Sequence, residues 1–216
     1  MKNLILTQDS YLFVHKYFSN IFKIKNTKVL FIKETSRGIP RKYIEIIYYF
    51  GFLNFLLLAI LEILNKIIFI FSKRKYEYSF INDQNTNKYL ENLLSNNSYD
   101  NIVSIGCPCK LNESLIKKYK INFLNLHGGI LPYQKGRFSP LKSIQNNQKY
   151  LGATIHIISN MFDSGEILSQ KCFKIKNKNK IINYLSVIKL SAYLLESFLK
   201  GRKLKIKKDI LESLKN

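Results

Sequence analysis

Three side chains in this sequence have the types and order of a catalytic set: Asn125, His127 and Asp163. Asn125 and His127 close the run INFLNLH, which reads as a buried strand broken at Gly128-Gly129. Two residues apart on a strand, they point the same way, and the carboxyl ends of strands are where open α/β sheets place their ligands. A second stretch, GATIHIISNMFDSGEIL from Gly152 to Leu168, alternates like a strand and then turns at Asp163-Ser164-Gly165, where one carboxylate can be presented. An Asn amide is a neutral donor suited to a developing oxyanion, worth on the order of 3 kcal/mol when well placed. His127 can donate to the same oxyanion when protonated, and a nearby carboxylate favours that form. Asp163 supplies the field and relays a proton, directly or through water. The competing reading is structural, because a lone strand histidine is more often a satisfied core residue and an Asn before a glycine turn is more often a turn former.

The combination tips the balance. N-x-H, a glycine-bearing loop, L-P, a glycine, then G-x-T-x-H and D-x-G-x-I resembles the formyltransferases that use 10-formyltetrahydrofolate. These include the glycinamide ribonucleotide, methionyl-tRNA and sugar-amine enzymes. The matching residues are Asn125, His127, Leu131-Pro132, Gly136, Gly152, Thr154, His156, Asp163, Gly165 and Ile167, and the match is good over roughly residues 100–175. The chain departs from the family at Gly128-Gly129, where Pro-Ser or Ala-Ser is common, and at Tyr133-Gln134-Lys135, where a Tyr-Arg pair is common; both lie in the loop that shapes the substrate side. The resemblance implies 10-formyltetrahydrofolate as formyl donor, with its pterin against the loop Cys107, Pro108, Cys109, Lys110 and Leu111. It implies a primary amine as acceptor, foremost that of an anionic nucleotide-linked amino sugar. The alternatives are a glycinamide ribonucleotide or methionyl-tRNA type of enzyme, or a non-catalytic member that binds a ligand or a membrane partner. At this length we do not expect the carboxyl-terminal barrel that the methionyl-tRNA enzymes carry. His156 is expected to order the site by hydrogen bonding, His15 to sit inert on a helix face, and no spacing of ligand types predicts a metal.

The elements that must position these residues are those of an α/β fold, a Rossmann-like, mostly parallel open sheet with helices on both faces. At 216 residues and 46% apolar the chain supports one generous domain. We expect that domain over residues 1–201, with an apolar helical insert at about 41–75 and a basic tail at 202–216. Asn3 to Thr7 and Lys28 to Ile32 read as strands flanking a helix that runs through Phe22, the start of a doubly wound sheet. No G-x-G-x-x-G follows, which disfavours a dinucleotide-binding dehydrogenase. Thr35 to Pro40 reads as a loop, Tyr78 to Ile81 and Asp100 to Ile105 as strands, and Asn112 as an N-cap. A helix over Pro140 to Asn146, strands over Ala153 to Ile158 and Gly165 to Ile175, and a long helix from Asn179 stopped by Gly201 complete the pattern.

Within the insert, Ile46 to Leu61 carries no charge, and Arg41-Lys42 and Lys73-Arg74-Lys75 flank the segment Tyr43 to Phe71. It has three readings: buried or paired helices covering the sheet, a helix lying in a membrane surface, or a span. Net charge +21 favours anionic partners such as nucleotide sugars, polyglutamylated folate or acidic lipid. No nucleic-acid partner is expected. The three cysteines lack a structural zinc pattern and read as reduced thiols, and the amino terminus lacks an export signal, so a cytoplasmic protein with peripheral membrane contact is the expectation.

Overall fold

The structure is a computed structural model and describes residues 1–35, 39–71 and 76–214. A seven-stranded sheet forms its centre. The strands are β1 (Asn3–Thr7), β2 (Thr27–Lys33), β3 (Glu77–Asn82), β4 (Asn101–Ile105), β5 (Asn122–His127), β6 (Tyr150–Ile157) and β7 (Ile167–Lys174), in the order β3-β2-β1-β4-β5-β6-β7. Pairing is parallel from β3 through to β5, while β6 runs antiparallel to both β5 and β7.

Alternation along the strands explains how both faces are covered. Ile5, Val29, Phe31, Val103 and Leu124 face one way, onto Phe18 and Phe22 of α1 (Lys16–Phe22) and Leu194 and Leu195 of α7 (Lys180–Leu199). Leu4, Leu6, Leu30 and Ile102 face the other way, onto Leu90 and Leu94 of α4 (Thr86–Asn96) and Leu115 of α5 (Glu113–Lys118). A strand sandwiched in this way needs apolar residues at every position, which is why β1 and β4 are buried throughout. Asn179 caps α7 by accepting from the Ile182 N–H at 3.0 Å, and Gly201 ends it at φ +81°. Asn112 precedes α5 as expected, but its side chain makes no capping bond; its backbone N–H donates to Asn87 instead. The tail is not separate: Leu204 exchanges hydrogen bonds with Ser169 and Gln170 on β7, and a short helix, α8 (Lys208–Glu212), follows.

The insert folds as two helices, α2 (Ile39–Phe50) and α3 (Phe52–Phe71), broken at Gly51, whose φ of +87° a residue with a side chain rarely adopts. The expected loop to Pro40 therefore ends sooner, with α2 beginning at Ile39; Ser36 to Gly38 and Lys73 to Lys75 lie outside the described residues, and the side chains of Arg41 and Lys42 are likewise not described. The helices pair, as one of the three readings allowed, but α3 is mostly exposed. Leu58 is the buried residue of α3, and it meets Leu12, Phe50, Leu141 and Ile181 in a small cluster. Glu62 ties α3 to the body. Its carboxylate accepts from the Tyr11 and Leu12 N–H groups at 2.7 and 2.6 Å and from Ser10 Oγ at 3.2 Å, at the start of the helical turn (Tyr11–His15) that leads into α1. A carboxylate there satisfies donors that have no helical partner and complements the helix dipole.

Candidate active site

The antiparallel pairing of β5 and β6 sets the site in register: Asn125 stands opposite His156 and His127 opposite Thr154. Asn125 Nδ2 donates to His156 Nε2 at 3.1 Å, and His156 Nδ1–H donates to the Ile157 carbonyl at 2.9 Å. This chain of bonds fixes one histidine tautomer and holds the Asn125 amide, as expected of His156. An amide nitrogen has two hydrogens, and His156 takes one.

His127 is buried beneath the loop that follows it. Its Nε2–H donates to the Gln134 carbonyl at 2.6 Å, and Ser139 Oγ lies 3.4 Å from the same nitrogen while donating to the Gly128 carbonyl. Its Nδ1 faces Asp163 Oδ1 at 3.4 Å. Asp163 sits at φ +53°, a left-handed conformation that a short polar side chain tolerates, and its Oδ2 accepts from the Gly136 N–H at 2.7 Å. So the expected convergence of Asn125, His127 and Asp163 is found, and the two stretches around them are pinned together by Gly136.

Electrostatics revise the state of the imidazole. Burial pushes the His127 pKa below its ordinary value by more than the Asp163 charge and the Gln134 carbonyl raise it. The resting ring is therefore neutral at neutral pH, with its hydrogen on Nε2, rather than the imidazolium expected beside a carboxylate. Asp163 runs the other way. Burial raises its pKa, but the imidazoles of His156 and His127 and the Gly136 N–H outweigh this and leave it below the usual carboxylate value, so it is ionised. The arrangement is a buried, neutral imidazole whose Nδ1 faces a fixed negative charge.

Glycine and amide residues that sequence reasoning left without a role hold this geometry. A Cβ on Gly129 would lie 2.4 Å from the Gln134 carbonyl and 2.6 Å from His127 Nε2; on Gly165 it would lie 1.7 Å from the Ile157 carbonyl. Gln134 was expected on the substrate side, yet it is 3% exposed. Its amide receives Ile130 N–H and donates to Gln148 and to the Tyr150 carbonyl. Thr154 and Gln170 hold the Gly129 and Leu131 carbonyls in the same way. Their partners are remote in sequence, so no local pattern marks them. His15 is not inert on a surface: it is buried, with Nε2 2.5 Å from Asp9 and Nδ1 3.0 Å from the Tyr76 hydroxyl.

The loop 107–111 lies at the carboxyl end of β4, beside β5. Leu111 is 5% exposed and belongs to the core, so its side chain is not offered to a ligand. Cys107 and Cys109 are free thiols with Sγ atoms 3.3 Å apart; their shared hydrogen bond holds the Cys107 pKa well up and lowers that of Cys109 to about 7. Lys110 stands over the Phe162 ring at 5.5 Å. Met161 and Phe162, next to Asp163, are 72% and 76% exposed. Such solvent-facing apolar groups beside a charged site suit a flat heterocycle. Among the described residues no cluster of metal-ligating side chains occurs.

The formyl transferase family model matches residues 63–187. A stretch of 73 residues is 36% identical to the dTDP-4-amino-4,6-dideoxyglucose formyltransferase of Mycobacterium bovis, covering 34% of this chain and 30% of that protein. Another, of 70 residues, is 40% identical to the bifunctional polymyxin resistance protein ArnA of Wigglesworthia glossinidia brevipalpis, over 32% of this chain and 11% of that protein. The chain thus matches less than a third of the length of either relative. The phosphoribosylglycinamide formyltransferase of Streptococcus pneumoniae superposes with a TM-score of 0.63 at 13% identity, over 93% of this chain and 98% of that one, a likeness of fold.

Proposed function

The chain belongs to the formyl transferase family, and from that premise we propose that it moves a formyl group from 10-formyltetrahydrofolate to the primary amine of a nucleotide-linked amino sugar. The observation that carries the reaction is the convergence of Asn125, His127 and Asp163 at one strand edge. The donor supplies an activated formyl carbon. Asn125 directs its remaining amide hydrogen at the charge that develops on the formyl oxygen. His127 Nδ1 accepts the proton that the attacking amine must lose, and the Asp163 carboxylate stabilises the imidazolium so formed. Because Asp163 is ionised, it acts first as a field; the proton reaches the leaving nitrogen from His127 Nδ1, directly or through water. The exposed apolar groups of the 159–164 loop, with the backbone of residues 107–110, fit the donor's pterin.

The sugar reading rests on the relative from Mycobacterium bovis and on a cavity beside the site. That cavity, of about 270 Å³, is lined by Glu45, Tyr48, Tyr49, Arg137, Phe138 and Lys142. Arg137 directly follows Gly136, the residue that holds Asp163, and its guanidinium pairs with Glu45 at 2.8 Å. Two cations and three aromatic rings suit the phosphates and base of a nucleotide. Glycinamide ribonucleotide is the second reading, because the fold extends over nearly the whole length of the phosphoribosylglycinamide formyltransferase of Streptococcus pneumoniae. The deciding experiment offers 10-formyltetrahydrofolate with either a dTDP-4-amino sugar or glycinamide ribonucleotide and follows release of tetrahydrofolate. Turnover with the sugar alone supports the proposal, and turnover with glycinamide ribonucleotide alone replaces it.

The pH profile reports the base. A group that must be neutral to accept a proton loses activity as pH falls through its pKa, and that of His127 is held below the ordinary value of about 6.5. Single-turnover rates with acceptor and donor both saturating should therefore show an acid limb whose midpoint lies below pH 6.5. An acid limb centred above 6.5 would mean that the ring starts protonated.

A further inference from the structure

α3 is amphipathic the wrong way round. Leu53, Leu57, Ile60, Leu64, Ile67 and Phe71 recur at helical spacing along one stripe and are 80%, 46%, 54%, 49%, 48% and 85% exposed. Its charged residues lie off this stripe: Glu62 turns inward and caps the helical turn at Tyr11, and the exposed Lys66 stands over the Tyr11 ring at 6.0 Å. Its remaining amides are satisfied within the helix, Asn54 donating to the Phe50 carbonyl and Asn65 to that of Leu61. The helix has mean hydropathy 2.1, and only 6% of it is buried. In a monomer in water this face would be a liability.

We propose that this stripe is a membrane-docking surface, and that α3 lies in the plane of an anionic bilayer with its aliphatic residues at the level of the headgroups and upper acyl chains. Two occupants could cover it, lipid or a second copy of the chain, and charge decides between them. Each copy carries +21, so pairing two copies opposes like fields, whereas an anionic leaflet attracts the same field. One basic pair, Arg41-Lys42, stands near the start of α2, and a basic run, Lys73-Arg74-Lys75, follows α3 in sequence. Crossing the bilayer is disfavoured by Glu62, because a spanning α3 would have to leave the body and strip three donors of their carboxylate. Lying flat keeps those bonds and presents only apolar groups to lipid.

The test is sedimentation with vesicles of phosphatidylglycerol and phosphatidylcholine, compared with phosphatidylcholine alone. The full chain should bind the anionic vesicles at low salt roughly tenfold or more tightly, and release as salt screens contacts over about 8 Å at physiological ionic strength. The triple variant Leu57→Glu, Ile60→Glu, Ile67→Glu changes exposed positions and should bind at least about tenfold more weakly, with the near-ultraviolet circular dichroism of the parent. The chain has no tryptophan, so Leu57→Trp supplies a reading that needs no charged variant: its emission should shift to the blue on anionic vesicles. Failure of the parent to sediment, binding indifferent to the triple variant, or an unshifted Leu57→Trp emission overturns the proposal. So does a dimer in light scattering that the triple variant dissolves, since the second copy is then the occupant. A pellet that neither salt nor carbonate releases overturns the flat arrangement.

Discussion

His127→Ala should lower kcat by about 10²- to 10⁴-fold, the range for losing one positioned proton-transfer group, while the protein still folds. The two effects separate because kcat is read per folded molecule. The rate loss corresponds to about 2.7–5.4 kcal/mol of barrier. The stability loss combines the hydrogen bond to the Gln134 carbonyl, whose unsatisfied acceptor costs about 1–3 kcal/mol, with the space left by a buried ring, and is read from Tm. Asp163→Asn removes the charge that faces Nδ1 at 3.4 Å, and should cost kcat on the same scale with a smaller change in Tm. Turnover within a few-fold of the parent in either variant would mean that these are turn residues and not a site.

Among the described glycines, Gly165→Ala should be the most damaging methyl. The new Cβ would fall 1.7 Å from the Ile157 carbonyl oxygen and 2.7 Å from its carbon. Both are backbone atoms of β6, so no side chain can swing aside. The turn has to lift off the strand, taking Asp163 away from His127 and Gly136. Overpacking on this scale should cost about 3 kcal/mol or more, and a fall in Tm of roughly 6–12 °C follows for a domain of this size, together with loss of kcat. Gly128→Ala is the control, because its Cβ meets the Val187 and Pro140 side chains at 3.4 and 3.9 Å, ordinary contact distances. If the two variants melt together, the close approach of the turn to β6 is not what Gly165 provides.

How far the sequence could be read depended on whether the signal was local. Strand alternation, the breaks at Gly128-Gly129 and Gly201, and the order Asn125, His127, Asp163 are properties of short stretches, and the sheet and the convergence of the three side chains follow them. Gln134 was misplaced because its partners, Gln148 and Tyr150, lie at and just before the start of β6, more than a dozen residues on, where a loop reading cannot see them. The charge state of His127 was misread because a neighbouring carboxylate is visible in a motif and desolvation is not. The insert shows the deepest limit. Periodicity reports that α3 has an apolar stripe and a side that carries Glu62, but not which of them faces the body, and here the charged side does.

The ladder between β5 and β6 has an evolutionary consequence. Period-two pairing locks Asn125 to His156 and His127 to Thr154, so a one-residue slip in either strand would send the site's side chains to the opposite face. The connection between the strands is constrained only in part. It leaves the site at Gly136, forms the short helix α6 (Ser139–Gln145), whose Ser139 and Leu141 are buried against the site and the body, and returns at Gln148. Substitutions at its exposed positions, Arg137, Lys142 and residues 145–147, can remodel the wall that meets an acceptor while the reacting groups stay in register. A scaffold divided in this way can exchange one amine for another without rebuilding its chemistry, and grafting this arc between relatives is the natural way to retarget it.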